Sequence, residues 1–167
     1  MKKVMALALV CVALAGCDFV NDFFIGPIST PTQSNFFDAI VRHDLKAVTA
    51  DIASGRISID ENFPYGQKPL HLAAYYGAEE IVDYLVKNGA NINAAMPSAS
   101  ETPLHTAINR GHEDVAIQLL DLGADPSINY GRYTTCCLVK RMRKWKDMSR
   151  LIARLPGCKD AKFDNKC

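Results

Sequence analysis

Apolar positions recur along the middle of the chain at the spacing of one buried helix face. The spacing i, i+1, i+4, i+5 occurs twice, at Ile81, Val82, Leu85, Val86 and at Val115, Ala116, Leu119, Leu120. Each set predicts a short amphipathic helix. Gly89 and Gly123 end these two helices, and Gly77 and Gly111 end a shorter helix before each of them. The pattern therefore predicts pairs of helices rather than strands.

The predicted helix pairs recur at a fixed interval. Pro103 follows Pro69 at the same distance along the chain as Gly111 follows Gly77. Each proline suits the first turn of a helix, where no backbone donor is lost. A single pair cannot bury its own apolar face, so neighbouring pairs must stack. These features predict an all-α solenoid of helix-turn-helix units.

The segments that begin the two pairs share a motif. They read Lys68-Pro69-Leu70-His71-Leu72-Ala73 and Thr102-Pro103-Leu104-His105-Thr106-Ala107. With this motif the chain resembles the ankyrin repeat family, whose signature is Thr-Pro-Leu-His-x-Ala at a period of ~33 residues. The resemblance implies an ankyrin-repeat solenoid with β-turn fingers, which binds proteins through its finger tips and the exposed side of each first helix. It also implies that His71 and His105 make structural hydrogen bonds between neighbouring units.

Residues 35–157 are predicted to form about four units, of which the first and last are caps. Residues 35–60 lack the motif, although His43 precedes Gly77 by the same repeat interval. The last unit begins with Thr134-Thr135-Cys136-Cys137, in which cysteine replaces both the Leu and the His of the motif. Its second helix is expected to carry Trp145, Met148, Ile152 and Leu155. Terminal units are expected to be atypical because one face meets water.

The first residues predict export and a lipid anchor. A positively charged start is followed by the apolar run Val4 to Gly16, which is too short for a membrane span of ~20 residues and is typical of a secretory signal. The run ends in Leu14-Ala15-Gly16-Cys17, which resembles the bacterial lipobox. The resemblance implies a signal peptide at residues 1–16 and acylation of Cys17. The alternative is an ordinary signal peptide with Cys17 incidental.

The residues after Cys17 bear on location. Asp18 resembles the signal that retains enterobacterial lipoproteins in the inner membrane, so we expect the protein to face the periplasm from that membrane. Residues 17–34 are expected to form a lipidated tether, because Gly26-Pro27 and Pro31 interrupt regular structure.

Four cysteines remain after the predicted signal and Cys17. Export to an oxidising compartment favours disulfide bonds between them. Adjacent cysteines would form a strained ring, because their Cα atoms lie closer than a bridge usually requires. We expect Cys136 and Cys137 each to pair with one of Cys158 and Cys167, which would pin the tail 158–167 to the last unit. A metal site is not expected, since adjacent cysteines lack the usual ligand spacing.

Charge is divided unevenly along the chain. Residues 34–130 hold 6 Lys/Arg and 13 Asp/Glu, whereas residues 131–167 hold 11 and 3. Five basic residues lie between Lys140 and Lys146. Such a run alone suggests nucleic acid, but nucleic acid is a poor partner for an exported lipoprotein. An anionic lipid surface, an acidic protein patch and a merely solvated cap face stay open.

The search for chemistry-bearing motifs favours binding over catalysis. The sequence contains no Gly-x-Ser-x-Gly, no metal-spaced His/Asp set and no glycine-rich phosphate loop. We therefore expect no catalytic residue, cofactor, metal or small-molecule substrate. The expected function is a membrane-anchored, non-enzymatic protein–protein interaction module in the periplasm. Two alternatives are an immunity lipoprotein that neutralises a toxin there and an accessory subunit of a periplasmic enzyme.

The protein partner is expected to bind where stacking leaves side chains uncommitted. These positions are the finger tips and the residues before each first glycine, and they hold Phe63, Tyr65, Tyr75, Tyr76, Met96, Asn109, Arg110, Arg141 and Arg143. Aromatics, Met and Arg are the types enriched in interface cores. The set runs from aromatic to basic, which predicts a partner with an apolar patch beside an acidic one. The alternative for Phe63 and Tyr75 is inward packing between units.

Overall fold

The computed structural model describes four ranges of the chain: residues 30–97, 100–142, 147–155 and 158. Several predicted features lie outside these residues: the signal peptide, Cys17, Asp18, Arg143, Trp145 and Cys167.

Within the described ranges the protein consists of eight α-helices and no β-strand, which confirms the all-α prediction. The helices are α1 (Pro31–Val41), α2 (Leu45–Ala53), α3 (Pro69–Tyr76), α4 (Glu79–Lys87), α5 (Pro103–Arg110), α6 (Glu113–Asp121), α7 (Thr135–Met142) and α8 (Ser149–Arg154). We call the successive pairs units one to four. A short 3-10 turn, Pro64–Gly66, precedes α3.

The helices form two layers. Each first helix contacts the next first helix, in the order α1, α3, α5, α7, and each second helix contacts the next second helix, in the order α2, α4, α6, α8. The two helices of a unit also pack together. Among the described residues, the main contacts of every unit are therefore with its neighbours, which confirms the predicted solenoid.

The core is built from the periodic positions of the sequence. Ala73 and Ala74 are fully buried, and their small side chains let adjacent helices approach closely. The largest fully buried side chains come from all four units and include Phe36, Ile40, Leu70, Leu85, Leu104, Leu119, Met148 and Leu151. Burying one such side chain contributes roughly 1.5–3 kcal/mol, so stacking supplies most of the stability.

Glycine is required between the helices of units two and three. Gly77 has φ 72° and Gly111 has φ 75°, which is the left-handed conformation that ends a helix. A Cβ on Gly77 would also lie 2.7 Å from Nδ1 of His112. His43 occupies the equivalent position in unit one with φ 56°. That conformation strains a residue with a side chain by roughly 1–2 kcal/mol, which marks unit one as divergent.

The motif histidines join neighbouring units, as predicted. Nδ1 of His71 accepts a hydrogen bond from the backbone N–H of Lys68 at 3.2 Å, so Nε2 carries the proton and donates to the Glu101 carbonyl at 3.1 Å. In the same way, Nδ1 of His105 accepts from the N–H of Thr102, and Nε2 lies 3.2 Å from Oγ1 of Thr135. Burial lowers the pKa of each imidazole to about 4, so both are neutral at physiological pH.

The first helix begins earlier than the sequence suggested. Helix α1 starts at Pro31, inside the segment 17–34 that was predicted as a tether. Thr30 caps it, because the Thr30 hydroxyl accepts from the N–H of Gln33 at 3.2 Å. The prediction that Pro31 interrupts regular structure is wrong, since proline is well tolerated in the first turn of a helix.

Unit four is fastened covalently. A disulfide bond joins Cys136 to Cys158, with Cα atoms 5.4 Å apart, and this is one of the pairings that the sequence allowed. Cys137 is disulfide-bonded as well. Cys158 is fully buried, so this part of the predicted tail packs with the domain. The pairing of Cys167 lies outside the described residues.

Helix α8 docks on α6 through apolar and ionic contacts. Its apolar side is buried at Met148, Leu151 and Leu155. Arg150 forms ion pairs with Glu113 and Asp114, and Arg154 forms one with Asp121. The backbone N–H of Leu151 also donates to Glu113 at 3.0 Å. Part of the basic charge of the C-terminal unit is thus neutralised by the acidic face of unit three.

Candidate functional site

The finger before α3 presents one aromatic side chain to solvent. Tyr65 is 65% exposed, and it has φ 63°. The turn is closed by a hydrogen bond of 2.9 Å from the N–H of Phe63 to the Gln67 carbonyl. A Cβ on Gly66 would lie 2.5 Å from Cδ of Pro97, so this finger packs tightly against the next one. Tyr65 is therefore held outward on a rigid turn.

Two residues predicted at the finger surface are buried instead. Phe63 is 3% exposed, because its ring stacks on Phe36 of unit one with centroids 5.9 Å apart. Met96 is 7% exposed, and its backbone N–H donates to the Glu101 carbonyl at 2.8 Å. The prediction that stacking leaves Phe63 and Met96 uncommitted at the finger surface is wrong, since both side chains are packed within the solenoid.

An aromatic and basic cluster lies at the C-terminal end of α3. The guanidinium carbon of Arg110 is 3.7 Å from the ring centroid of Tyr75, which is a close cation–π contact. The rings of Tyr75 and Tyr76 lie 4.8 Å apart, and Tyr76 meets Phe37 edge-on at 5.5 Å. Both tyrosines are half-buried, whereas Arg110 is exposed. Burial raises the pKa of Tyr76 to about 12, so its hydroxyl stays protonated.

Histidines from both neighbouring units fix the end of α3. Nε2 of His43 lies 3.1 Å from the carbonyl oxygen of Tyr76, and Nε2 of His112 lies 3.0 Å from that of Tyr75. The last carbonyls of an α-helix have no N–H donor within the helix, so a side-chain donor can form a hydrogen bond with them. The backbone beneath the cluster is thereby immobilised by units one and three.

A second aromatic and basic cluster lies between the finger of unit four and α7; the sequence analysis named its Arg141 but missed Tyr130, Arg132 and Tyr133. Tyr130 and Tyr133 exchange two backbone hydrogen bonds of 2.9 Å across the two-residue turn Gly131–Arg132. The guanidinium carbons of Arg132 and Arg141 each lie 5.6 Å from the Tyr133 ring centroid. Both arginines are exposed. The signal available in the sequence was the Tyr-Gly pair, which also occurs at the tip of the unit-two finger.

Asn109 connects the two clusters. Its side-chain amide donates to Oε1 of Glu101 at 3.3 Å, and the Thr106 hydroxyl donates to the same oxygen at 3.1 Å. Tyr130 lies against this network, where burial, followed by the charge of Glu101, raises the pKa of its hydroxyl. Asn109 is half-buried, so it braces the surface between the clusters more than it extends outward.

The structure places the predicted residues on the first-helix and finger side of the solenoid. It brings together Tyr75, Tyr76 and Arg110, and places Arg141 in the separate cluster around Tyr133. It leaves Tyr65 exposed on its finger and buries Phe63 and Met96. The second-helix side has a different character, with an open groove of about 490 Å³ lined mainly by α4 residues such as Glu79, Glu80 and Asp83. In the part of the chain that the structure describes, no group of three or more His, Cys, Asp or Glu side chains is arranged to hold a metal ion. Among those same residues, no helix has both the length and the apolar character of a membrane span.

Stacked helix pairs tied by motif histidines define a helical repeat protein. The family model for ankyrin repeats (3 copies) matches residues 36–130, which is more than half of the chain, and the chain belongs to the ankyrin repeat family. The matched range covers units two and three and all but the start of unit one, whereas α7 and α8 of unit four lie beyond it.

The chain is similar to parts of several known proteins. Protein phosphatase 1 regulatory subunit 27 of Mus musculus is 39% identical over 95 residues, which cover 57% of this chain and 61% of that protein. Rabankyrin-5 of Homo sapiens is 48% identical over 64 residues, or 38% of this chain and 5% of that protein. E3 ubiquitin-protein ligase hecd-1 of Caenorhabditis elegans is 32% identical over 108 residues, or 65% of this chain and 4% of that protein. The chain thus spans less than two thirds of each relative.

Proposed function

We propose that the protein is a non-enzymatic protein–protein interaction module, which binds its partner on the first-helix and finger side. The observation that carries the proposal is the pairing of an exposed aromatic finger with two arginine–tyrosine clusters on one side of a rigid solenoid. Tyr and Arg dominate binding hot spots, because they combine a large contact area with directional polar groups. Similarity to a phosphatase regulatory subunit supports a binding role of this kind.

The proposed setting is the periplasmic side of a bacterial membrane, with Cys17 carrying the lipid. Support comes from the short apolar run that ends in Leu14-Ala15-Gly16-Cys17 and from Asp18 after it. Disulfide bonds at Cys136 and Cys137 agree with export, since such bonds persist in oxidising compartments. Cys17→Ser is expected to abolish incorporation of labelled fatty acid and to leave the precursor uncleaved. Continued labelling of the variant would exclude the anchor.

An accessory subunit of an enzyme is the second candidate. The regulatory-subunit name of the phosphatase relatives favours it, although that name describes those proteins. The identity of the captured partner separates the two candidates, because an enzyme whose activity changes on binding is expected only for an accessory subunit.

The decisive experiment is affinity purification of the detergent-extracted protein, with its partners identified by mass. Tyr65→Ala and Arg110→Ala are each expected to weaken partner binding by about 1–3 kcal/mol. Tyr76→Ala is a less clean probe, since the Tyr76 ring packs on Phe37 and its loss also lowers stability. Lys46→Ala is the matched control, because Lys46 is exposed on the second-helix side. Full binding by both test variants, with normal thermal unfolding, would refute the proposed surface.

A further inference from the structure

The finger of unit four and helix α7 together place two positive charges, Arg132 and Arg141, around one aromatic ring. The guanidinium carbons of Arg132 and Arg141 each lie 5.6 Å from the centroid of Tyr133, so both flank the same side chain. A guanidinium that lies near an aromatic ring keeps its N–H edges available for a carboxylate. The arrangement is therefore suited to holding two anionic groups close to each other.

The backbone that carries the cluster is held in place before any ligand arrives. Two hydrogen bonds of 2.9 Å close the turn between Tyr130 and Tyr133, and Gly131 supplies the left-handed conformation that the turn needs, with φ 57°. The Thr135 hydroxyl donates to the carbonyl of Pro126 at 2.8 Å, which fixes the base of the finger to the start of α7. Ordering such a surface on binding costs little entropy, so its contacts contribute more of their free energy to affinity.

The two arginines lie outside the ion pairs that form among the described residues. Within the described ranges, the ion pairs of the protein involve Arg56, Lys87, Arg150 and Arg154. None of these ion pairs reaches Arg132 or Arg141. Glu101 lies nearby, but its Oε1 already accepts hydrogen bonds from Thr106 and Asn109. A carboxylate supplied by a partner would fill this position without displacing an internal ion pair.

We propose that Arg132 and Arg141, oriented around Tyr133, bind two carboxylates of an acidic protein segment in extended conformation. The proposal rests on the proposed function and names the chemistry of the partner at one end of the same surface. Alternate side chains of an extended strand lie on one side, about 6.6 Å apart, so two guanidiniums that share one ring can reach such a pair. The cluster and the Arg110–Tyr75 contact lie on the same side, so one segment can extend from aromatic to basic contacts.

A protein segment is favoured over an anionic membrane surface. A discrete pair of arginines, one on the finger and one on α7, is better matched to a few fixed carboxylates than to a continuous charged surface. Membrane recruitment is therefore the competing outcome that the experiment must detect.

The test uses the full chain and a fluorescein-labelled peptide of alternating Glu and Ser residues, about ten residues long so that it spans several finger positions. Fluorescence anisotropy is expected to show binding that weakens with salt. Arg132→Gln with Arg141→Gln is expected to reduce affinity at least about tenfold. Arg42→Gln, which alters an exposed arginine of unit one, is the control and is expected to bind like the wild type.

Two further comparisons separate geometry from charge. The double substitution Arg132→Lys with Arg141→Lys keeps both charges but loses the planar fork, so an affinity between those of the wild type and the glutamine variant is expected. Equal binding by the lysine variant and the wild type would overturn the proposal that the planar guanidinium groups of Arg132 and Arg141 bind the two carboxylates. Equal loss in Arg42→Gln would overturn it as well, because any positive charge would then serve.

The remaining outcomes separate this inference from the proposed function. Vesicles with and without phosphatidylglycerol are tested in parallel, and an arginine-dependent preference for anionic vesicles without peptide binding would overturn the proposal. If the partner captured from cells binds the double glutamine variant fully, the inference about Arg132 and Arg141 is wrong, but the proposed role as an interaction module is not contradicted. If Tyr65→Ala and Arg110→Ala also leave capture unchanged, the proposed surface itself fails.

Discussion

Units two and four are both joined to unit three, but by different means. Between units two and three, Nε2 of the buried His71 donates to the Glu101 carbonyl, and closely packed first helices bury Leu70 and Leu104. Unit four receives the same kind of tie from His105, but on the Thr135 hydroxyl. It adds a disulfide from Cys136 to Cys158 and the ion pairs of Arg150 and Arg154. Where the repeat motif has decayed, covalent and ionic contacts supplement stacking.

The largest effect is expected from the shared core of the central units. Leu104→Ala removes a side chain that is 1% exposed and packed between neighbouring first helices, so the free energy of unfolding is expected to fall by about 4 kcal/mol. Equilibrium urea denaturation measures the change. A loss below about 1 kcal/mol would show that the central units do not depend on stacking as the comparison requires.

Removal of the disulfide is expected to have the next largest effect. Cys158→Ser opens a loop with a sequence separation of 22 residues, which is expected to cost about 3 kcal/mol. Amide hydrogen exchange is expected to increase mainly in α7 and α8, while α3 to α6 keep their protection. A uniform loss of protection along the solenoid would contradict the separate fastening of unit four.

Acid is expected to loosen the histidine ties. The pKa of His71 falls from 6.5 to about 4 on folding, so the unfolded chain binds the proton first as the pH drops. The stabilisation is complete above pH 6.5 and is lost as the pH falls towards 4. At pH 5 the loss from His71 is about 2 kcal/mol, and His105 acts in the same direction. His71→Gln is expected to reduce the pH dependence of the free energy of unfolding, measured with urea. An unchanged pH dependence would mean that other titrating groups cause it.

The smallest effect is expected from the ion pairs of the cap. Arg150→Ala is expected to cost about 0.5 kcal/mol in low salt and less in high salt, because the Arg150 side chain is 60% exposed. Arg42→Ala serves as the exposed control without a described ion pair. A loss as large as that from Cys158→Ser would make ionic contacts, rather than the covalent bond, the main fastening of unit four.

The regular units could be predicted from the sequence because the residues that begin and end their helices act locally. Pro69 begins its helix and Gly77 ends it, and both roles follow from backbone chemistry alone. Phe63 was misplaced because its burial depends on Phe36, which lies in unit one and is distant in sequence. Arg132 was missed because the repeat interval shortens between α5 and α7 relative to the interval between α3 and α5. A finger residue of unit four therefore could not be found by adding the repeat interval to a position in an earlier unit.

The histidine hydrogen bond between units two and three has a consequence for the number of repeat units that the array can contain. Its acceptor is a main-chain carbonyl, which every residue type supplies, and the donor lies 30 residues before that acceptor. A gene duplication that copies residues 69–102 would give the inserted unit its own donor and a compatible acceptor. The array can therefore lengthen by whole units at its centre. The same event in unit four would duplicate Cys136 and Cys137 and create competing thiols, so growth at that end requires new cysteine pairing.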